Sequence, residues 1–287
     1  MNSNRIKTFL IILLVIVNIF LLVNLLMASR EKSSISHELL EASSKALSQK
    51  EIYIDSNKIP ARKYTQSVIS ADCSKQARMQ AAENFLGKIV AEYSLPDGIT
   101  YQSDEAFVTF FENGRFEYGL RDSTANLSEI STVPTTETQN VGSASAKKVK
   151  DVFKKLTSHR SSDKVSYELV GQLDTNVGII VYCRMEVDGL SVYGGDFVMI
   201  FNNDKLNYLS GKMFFDSFSG KYDMEYIDAP NALFLLDERE VIVDDIRMVY
   251  YPVQTAENEY FLIPSWQIIG DDEKVRIFDG VSGYERQ

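Results

Sequence analysis

Twenty consecutive residues, Phe9 to Ala28, carry no charge, and sixteen of them are Leu, Ile, Val or Phe. Wound as an α-helix at about 1.5 Å per residue, such a run is roughly 30 Å long, the thickness of a bilayer's hydrocarbon core. At about −0.4 kcal/mol for each large apolar residue, insertion is favoured by roughly 6 kcal/mol, which Asn18 and Asn24 offset only in part. A cleaved signal peptide has an apolar region of roughly 7–15 residues and then a small-x-small site. Here the run is longer, and Leu26-Met27-Ala28 lacks the first small residue. The sequence therefore predicts a retained, single-pass transmembrane anchor over residues 9–28. Arg5 and Lys7 precede the run without any acid, so the positive-inside rule places residues 1–8 in the cytoplasm. The expected location is the cell membrane, with the C-terminal domain extracellular. Asn18 and Asn24 are the strongly polar groups of the span, and an amide in hydrocarbon seeks a partner. Both are candidate partner-binding residues within the membrane.

Over the whole chain, composition is that of a folded protein, with 45% hydrophobic residues and a net charge of −10. That sign, with no basic stripe to offset it, excludes nucleic acid as a partner. Residues 29–50 read as a juxtamembrane helical stalk, whose helical stretch His37–Lys50 carries a thin stripe of Leu39, Leu40 and Leu47. A strand at Ile52–Ile54 and a turn at Ile59-Pro60 follow. Asp72 or Ser70 is expected to cap a helix running to about Tyr93, with Ala82, Phe85, Leu86, Ile89, Val90 and Tyr93 on one face. Asn113-Gly114 between Ala106–Glu112 and Arg115–Leu120 predicts a type I′ hairpin.

Residues 123–145, poor in hydrophobes, read as a linker or long loop between a first α+β subdomain (51–122) and a second (146–287). The second opens with a helix over Ala146–Thr157. Strands are expected at Val165–Leu173, Gly178–Val187, Leu190–Phe201 and Lys205–Phe215, a helix at Asp228–Glu238, and strands at Val241–Val253, Glu259–Ile269 and Lys274–Phe278. Runs of strands behind single helices argue for an α+β fold. The expected architecture is an N-terminal transmembrane helix followed by antiparallel sheets, each covered by a helix.

The residues that carry chemistry are sparse. His37 lies in the stalk and His159 at the end of a lysine-rich helix. None of G-x-S-x-G, H-E-x-x-H or C-x-x-C is present. The acidic clusters are Asp237-Glu238, Asp244-Asp245 and Asp271-Asp272-Glu273. Paired carboxylates serve glycoside hydrolysis and oxygen ligands hold Ca²⁺. However, Asp244 and Asp245 are neighbours in a strand and point to opposite faces, and Asp271–Glu273 reads as a polar turn. Cys183 sits in an apolar strand pattern and reads as a small buried hydrophobe, whereas Cys73 lies near a helix start, where a thiol pKa can fall. No catalytic, cofactor-binding or metal-ligating residue is assigned, and the chain reads as a binding or regulatory protein, not an enzyme.

Three stretches resemble the YycI-type regulatory proteins. They are Ser3-Asn4-Arg5-Ile6-Lys7-Thr8 leading into Asn18-Ile19-Phe20-Leu21-Leu22; Ile52-Tyr53-Ile54-Asp55 through Ile59-Pro60; and the tail, Leu262-Ile263-Pro264-Ser265-Trp266-Gln267-Ile268 with Phe278-Asp279-Gly280-Val281-Ser282-Gly283. PepSY-type domains show a tail similar to the last. The resemblance implies a non-catalytic protein acting with a YycH-type sister protein on a sensor histidine kinase of the WalK/YycG type, which controls cell-wall metabolism. The alternative is a PepSY-like module that inhibits or chaperones an extracytoplasmic protease.

Overall fold

The computed structural model describes residues 14–15, 17–19, 34–72, 74–121, 143–157, 165–176, 178–212, 217–222, 224–256 and 259–286. In chain order the first elements are α1 (His37–Ser48), β1 (Ile52–Tyr53), a 3-10 turn (Ser56–Lys58), β2 (Val68–Asp72) and α2 (Lys75–Leu86). Next come β3 (Ala91–Leu95), β4 (Gly98–Gln102), β5 (Ala106–Phe111), β6 (Arg115–Leu120) and α3 (Ser143–Thr157). Then follow β7 (Val165–Thr175), β8 (Gly178–Val187), β9 (Leu190–Asn202), β10 (Lys205–Lys212) and β11 (Ser217–Tyr222). The chain closes with α4 (Ala229–Phe234), β12 (Val241–Ala256), β13 (Glu259–Gly270), β14 (Val275–Asp279) and β15 (Glu285–Arg286). These elements form two compact units. The first draws on Met1–Thr65, Tyr226–Arg247 and Trp266–Gln287, the second on Gln66–Glu225 and Met248–Ser265.

In the first unit, Ser36 caps α1 by accepting from Leu39 N, and the helix buries Leu40, Ser43 and Leu47. β1 lies parallel to β12, pairing Ile52 with Val241 and Tyr53 with Ile242. β13, β14 and β15 continue the sheet. Asp228 caps α4 by accepting from Asn231 N at 3.0 Å, with Pro230 in the first turn, where its missing N–H costs nothing. Lys50 Nζ donates to Phe234 O at the far end of that helix, a cation placed on orphan carbonyls. Trp266 is fully buried among these elements, its indole N–H donating to Ile227 O at 2.9 Å.

The second unit is built on two copies of one plan, a helix followed by four antiparallel strands: α2 with β3–β6, and α3 with β7–β10. Their last strands pair with each other, Tyr208 opposite Gly119 and Lys212 opposite Arg115, giving the order β3-β4-β5-β6-β10-β9-β8-β7. Phe153 of α3 stacks on Tyr167 of β7 and meets Phe197 of β9 edge-on; Phe197 in turn packs on Phe116 of β6. Gly211 makes this possible, because a Cβ there would lie 2.2 Å from the Phe197 ring. β9 bends at Gly194, whose φ of +70° an L side chain rarely adopts, and the β8–β9 register shifts at this point. Beyond the bend β9 meets β12 in parallel at Val192–Tyr250, and the sheet extends through β13 and β2 to β11.

Both halves of the expected fold class are thereby corrected. The strands belong to large mixed sheets instead of separate antiparallel sheets each covered by its own helix. Period-two patterning marks a strand without naming its neighbour, and here β6 pairs with β10, almost a hundred residues away. The transmembrane expectation is corrected too. Among the described residues no helix is long and apolar enough to cross a membrane. Of the 9–28 run only Leu14, Val15, Val17, Asn18 and Ile19 are among the described residues, and these are helical. That finding conflicts with the expected single-pass cell-membrane location; residues 1–8 lie outside the described residues.

Local readings also shift. The helix capped from Ser70 or Asp72 starts instead after Ser74, whose side chain accepts from Ala77 N. It stops at Gly87 (φ +72°), and Tyr93 lies in β3. The Asn113-Gly114 turn is not type I′. Only Gly114 has positive φ, and its N–H donates to Phe111 O, the pattern of a type I turn followed by a left-handed glycine. The type I′ geometry appears instead at Asp188-Gly189 and Asn203-Asp204, where both central residues have positive φ.

Candidate functional site

Each acidic cluster has at least one carboxylate in an ion pair. Within the first unit, Glu238 and Asp272 converge on Arg276, which is 6% exposed. Lys274 Nζ adds a second cation, 3.5 Å from Asp272. Burial works to raise the Asp272 carboxyl, but the Lys274 N–H bond and the charges of Arg276 and Lys274 outweigh it and hold the group below its usual range. A carboxyl so held stays ionised and is unsuited to general-acid work at neutral pH. Asp244 and Asp245 go to different cations, Lys58 and Arg247, each at 3.7 Å. Asp271–Glu273 forms the β13–β14 turn, with Glu273 at φ +60°.

His37 faces Glu41 one turn along α1 in an exposed pair. His159, Cys73 and Asn24 lie outside the described residues, and Asn18 is helical and exposed. Among the described residues no three His, Cys, Asp or Glu side chains gather where they would hold a metal ion. Cys183 is free and buried, and burial pushes its thiol up to about 12. At pH 8 only about one molecule in ten thousand then carries the thiolate. In a Cys73→Ser protein, Cys183 is therefore expected to resist an aromatic disulfide reagent in the native state and to react within seconds in urea. Prompt native labelling would contradict its burial.

The surface best formed for recognition in the first unit is an open groove of about 520 Å³ between α1, β1, the 3-10 turn and β12. Its floor is Ile54 and Val243, and its rim carries Glu41, Lys45, Asp55 and Lys58. The floor backbone is satisfied from inside, Ser44 Oγ donating to Ile54 O at 2.7 Å, and Asp55 fixes the turn by accepting from Asn57 N at 2.9 Å. Beside the groove, Tyr53 and Ile242 are paired in register on the outer face of the β1–β12 sheet, each 48% exposed. A large aromatic next to a β-branched residue, rimmed by both signs of charge, has the composition of a protein-binding patch. Sequence reasoning misses it because Tyr53 and Ile242 are far apart along the chain, and only the parallel pairing joins them.

The chain matches no known family profile and no curated protein. Two solved structures are similar in outline. An uncharacterized protein from Eubacterium rectale aligns over 82% of this chain and 89% of its own, at 10% identity and a TM-score of 0.45. The YpeB C-terminal domain of Bacillus megaterium aligns over 76% and 97%, at 14% identity and a TM-score of 0.37. Likeness at these scores carries no inference about function, and neither match bears on the finer resemblance to the YycI type.

Proposed function

We propose that this is a non-catalytic regulatory protein that binds a sensor histidine kinase of the WalK/YycG type, together with a YycH-type sister protein, and biases the kinase between signalling states. A regulator of this kind need favour one state by only about 1–3 kcal/mol. Support comes from the resemblance of Ile52–Pro60 and of the C-terminal tail to YycI-type proteins. The observation that carries the reading is the exposed Tyr53–Ile242 pair beside the groove, whose Tyr53 lies within the first of those stretches.

The test is co-purification of the full chain with the kinase, and kinase autophosphorylation in its presence. Replacing Tyr53 and Ile242 together with serine removes two exposed apolar anchors while leaving the core intact. Association is expected to weaken at least tenfold, with the unfolding midpoint within a few degrees of wild type. Unchanged binding and unchanged autophosphorylation would overturn the assignment. A wild-type protein that ignores the kinase but slows a peptidase would establish the PepSY-like inhibitor reading instead.

A further inference from the structure

The second unit carries a separate surface, formed by α3 and β7. β7 is an eleven-residue strand that pairs with β8 along one side. Its other side pairs with no strand among the described residues. That edge presents a row of backbone donors and acceptors, the template on which an extended peptide adds as a further strand. Between the edge and α3 runs a groove of about 630 Å³. Val149 and Phe153 line it from the helix, and Val165, Tyr167 and Leu169 from the strand. The three strand residues are half-buried and share one face, so they form an apolar trough that α3 covers incompletely.

Charge identifies the occupant. α3 has five lysines against the single acid Asp151, on a chain whose net charge is −10. Lys148 is neutralised by Asp204 at 2.5 Å. Lys150 and Lys154 line the groove and are exposed, so with Asp151, also on the groove, its helix side carries a net positive charge. They are one helical turn apart, about 6 Å. Side chains at alternate positions of an extended peptide are about 6.7 Å apart. We infer that the α3–β7 groove binds an extended, acidic polypeptide segment that adds as a strand to β7, seats apolar side chains in the trough, and sets acidic ones against Lys150 and Lys154. This inference stands apart from the kinase reading, because it concerns a different unit and different residues.

The experiment titrates the full chain into a fluorescein-labelled peptide of alternating Asp and Val, eight residues long, and follows anisotropy. Saturable binding is expected. It should weaken at least tenfold in a Lys150→Glu, Lys154→Glu protein, whose changes fall at exposed positions of α3, and equally for a peptide with Lys in place of Asp. A peptide N-methylated at every second residue, which keeps the charge but cannot complete the ladder, should also lose at least tenfold. Absence of saturable binding would overturn the inference, as would full binding by the N-methylated peptide. Equal competition by heparin would reduce the surface to a general polyanion patch and overturn it too. If the chain dimerises and the dimer excludes the peptide, the edge belongs to a second copy and the inference fails.

Discussion

A Trp266→Ala protein is expected to lose about 4 kcal/mol from the first unit, among the larger losses a single side chain can cause. Trp266 is 1% exposed, its ring meets Tyr64 edge-on at 5.4 Å, and its N–H satisfies Ile227 O. Alanine leaves a cavity the size of an indole and strips a half-buried carbonyl of its donor. Both terms act in the same direction. Trp266→Phe separates them: most of the ring volume stays and the N–H goes, so the expected loss is about 1–2 kcal/mol. Trp266 is the chain's one tryptophan. Its fluorescence in the wild type therefore marks which urea transition belongs to the first unit, and circular dichroism then follows that transition in both variants. A Trp266→Ala midpoint within 1 kcal/mol of wild type, at unchanged urea dependence, would show that this residue does not organise the core.

Trp266 also illustrates how far the sequence reaches. The run Glu259–Ile269 was readable as a strand, but its interior Pro264 cannot donate to a ladder. In the structure β13 pairs with β2 only from Glu259 to Leu262, stopping before the proline. Elements whose signal is local were legible: the helices over Ala146–Thr157 and from Asp228, and the strands Val165–Leu173, Gly178–Val187 and Leu190–Phe201. Gly87, overlooked as a helix stop, was legible in principle. What sequence could not supply was pairing. β6 with β10, β12 with β9 and β1 with β12 are choices among many strands of similar pattern, decided by packing, and they turn the expected helix-covered sheets into large mixed ones. The recognition surfaces follow the same rule. Tyr53 beside Ile242, and α3 beside the β7 edge, are products of those pairings.

The second large effect concerns Asp279, in the tail that resembles the YycI type. Its side chain is 6% exposed. Oδ1 accepts from both Val281 N and Ser282 N at 2.8 Å, and Oδ2 is paired with Arg286 across the β14–β15 hairpin. Asp279→Ala frees two turn N–H groups and removes the carboxylate paired with a guanidinium that is itself about two-thirds buried, for an expected loss of about 3 kcal/mol at pH 7. Burial alone would raise the Asp279 carboxyl; the bonds from Ser282, Arg286 and Val281 and the Arg286 charge outweigh it and hold the group below the usual aspartate value. The unfolded chain thus takes up its proton first as the pH drops. The carboxylate's contribution is complete above the unfolded aspartate value, near pH 4, and shrinks as the pH falls from there through the lower folded value. The gap in stability between wild type and Asp279→Ala should accordingly be constant from pH 7 to about pH 5 and narrow by pH 3. Urea titrations at these three pH values measure it, and a gap that stays level to pH 3 would mean that packing, not the ionised carboxylate, fastens the tail.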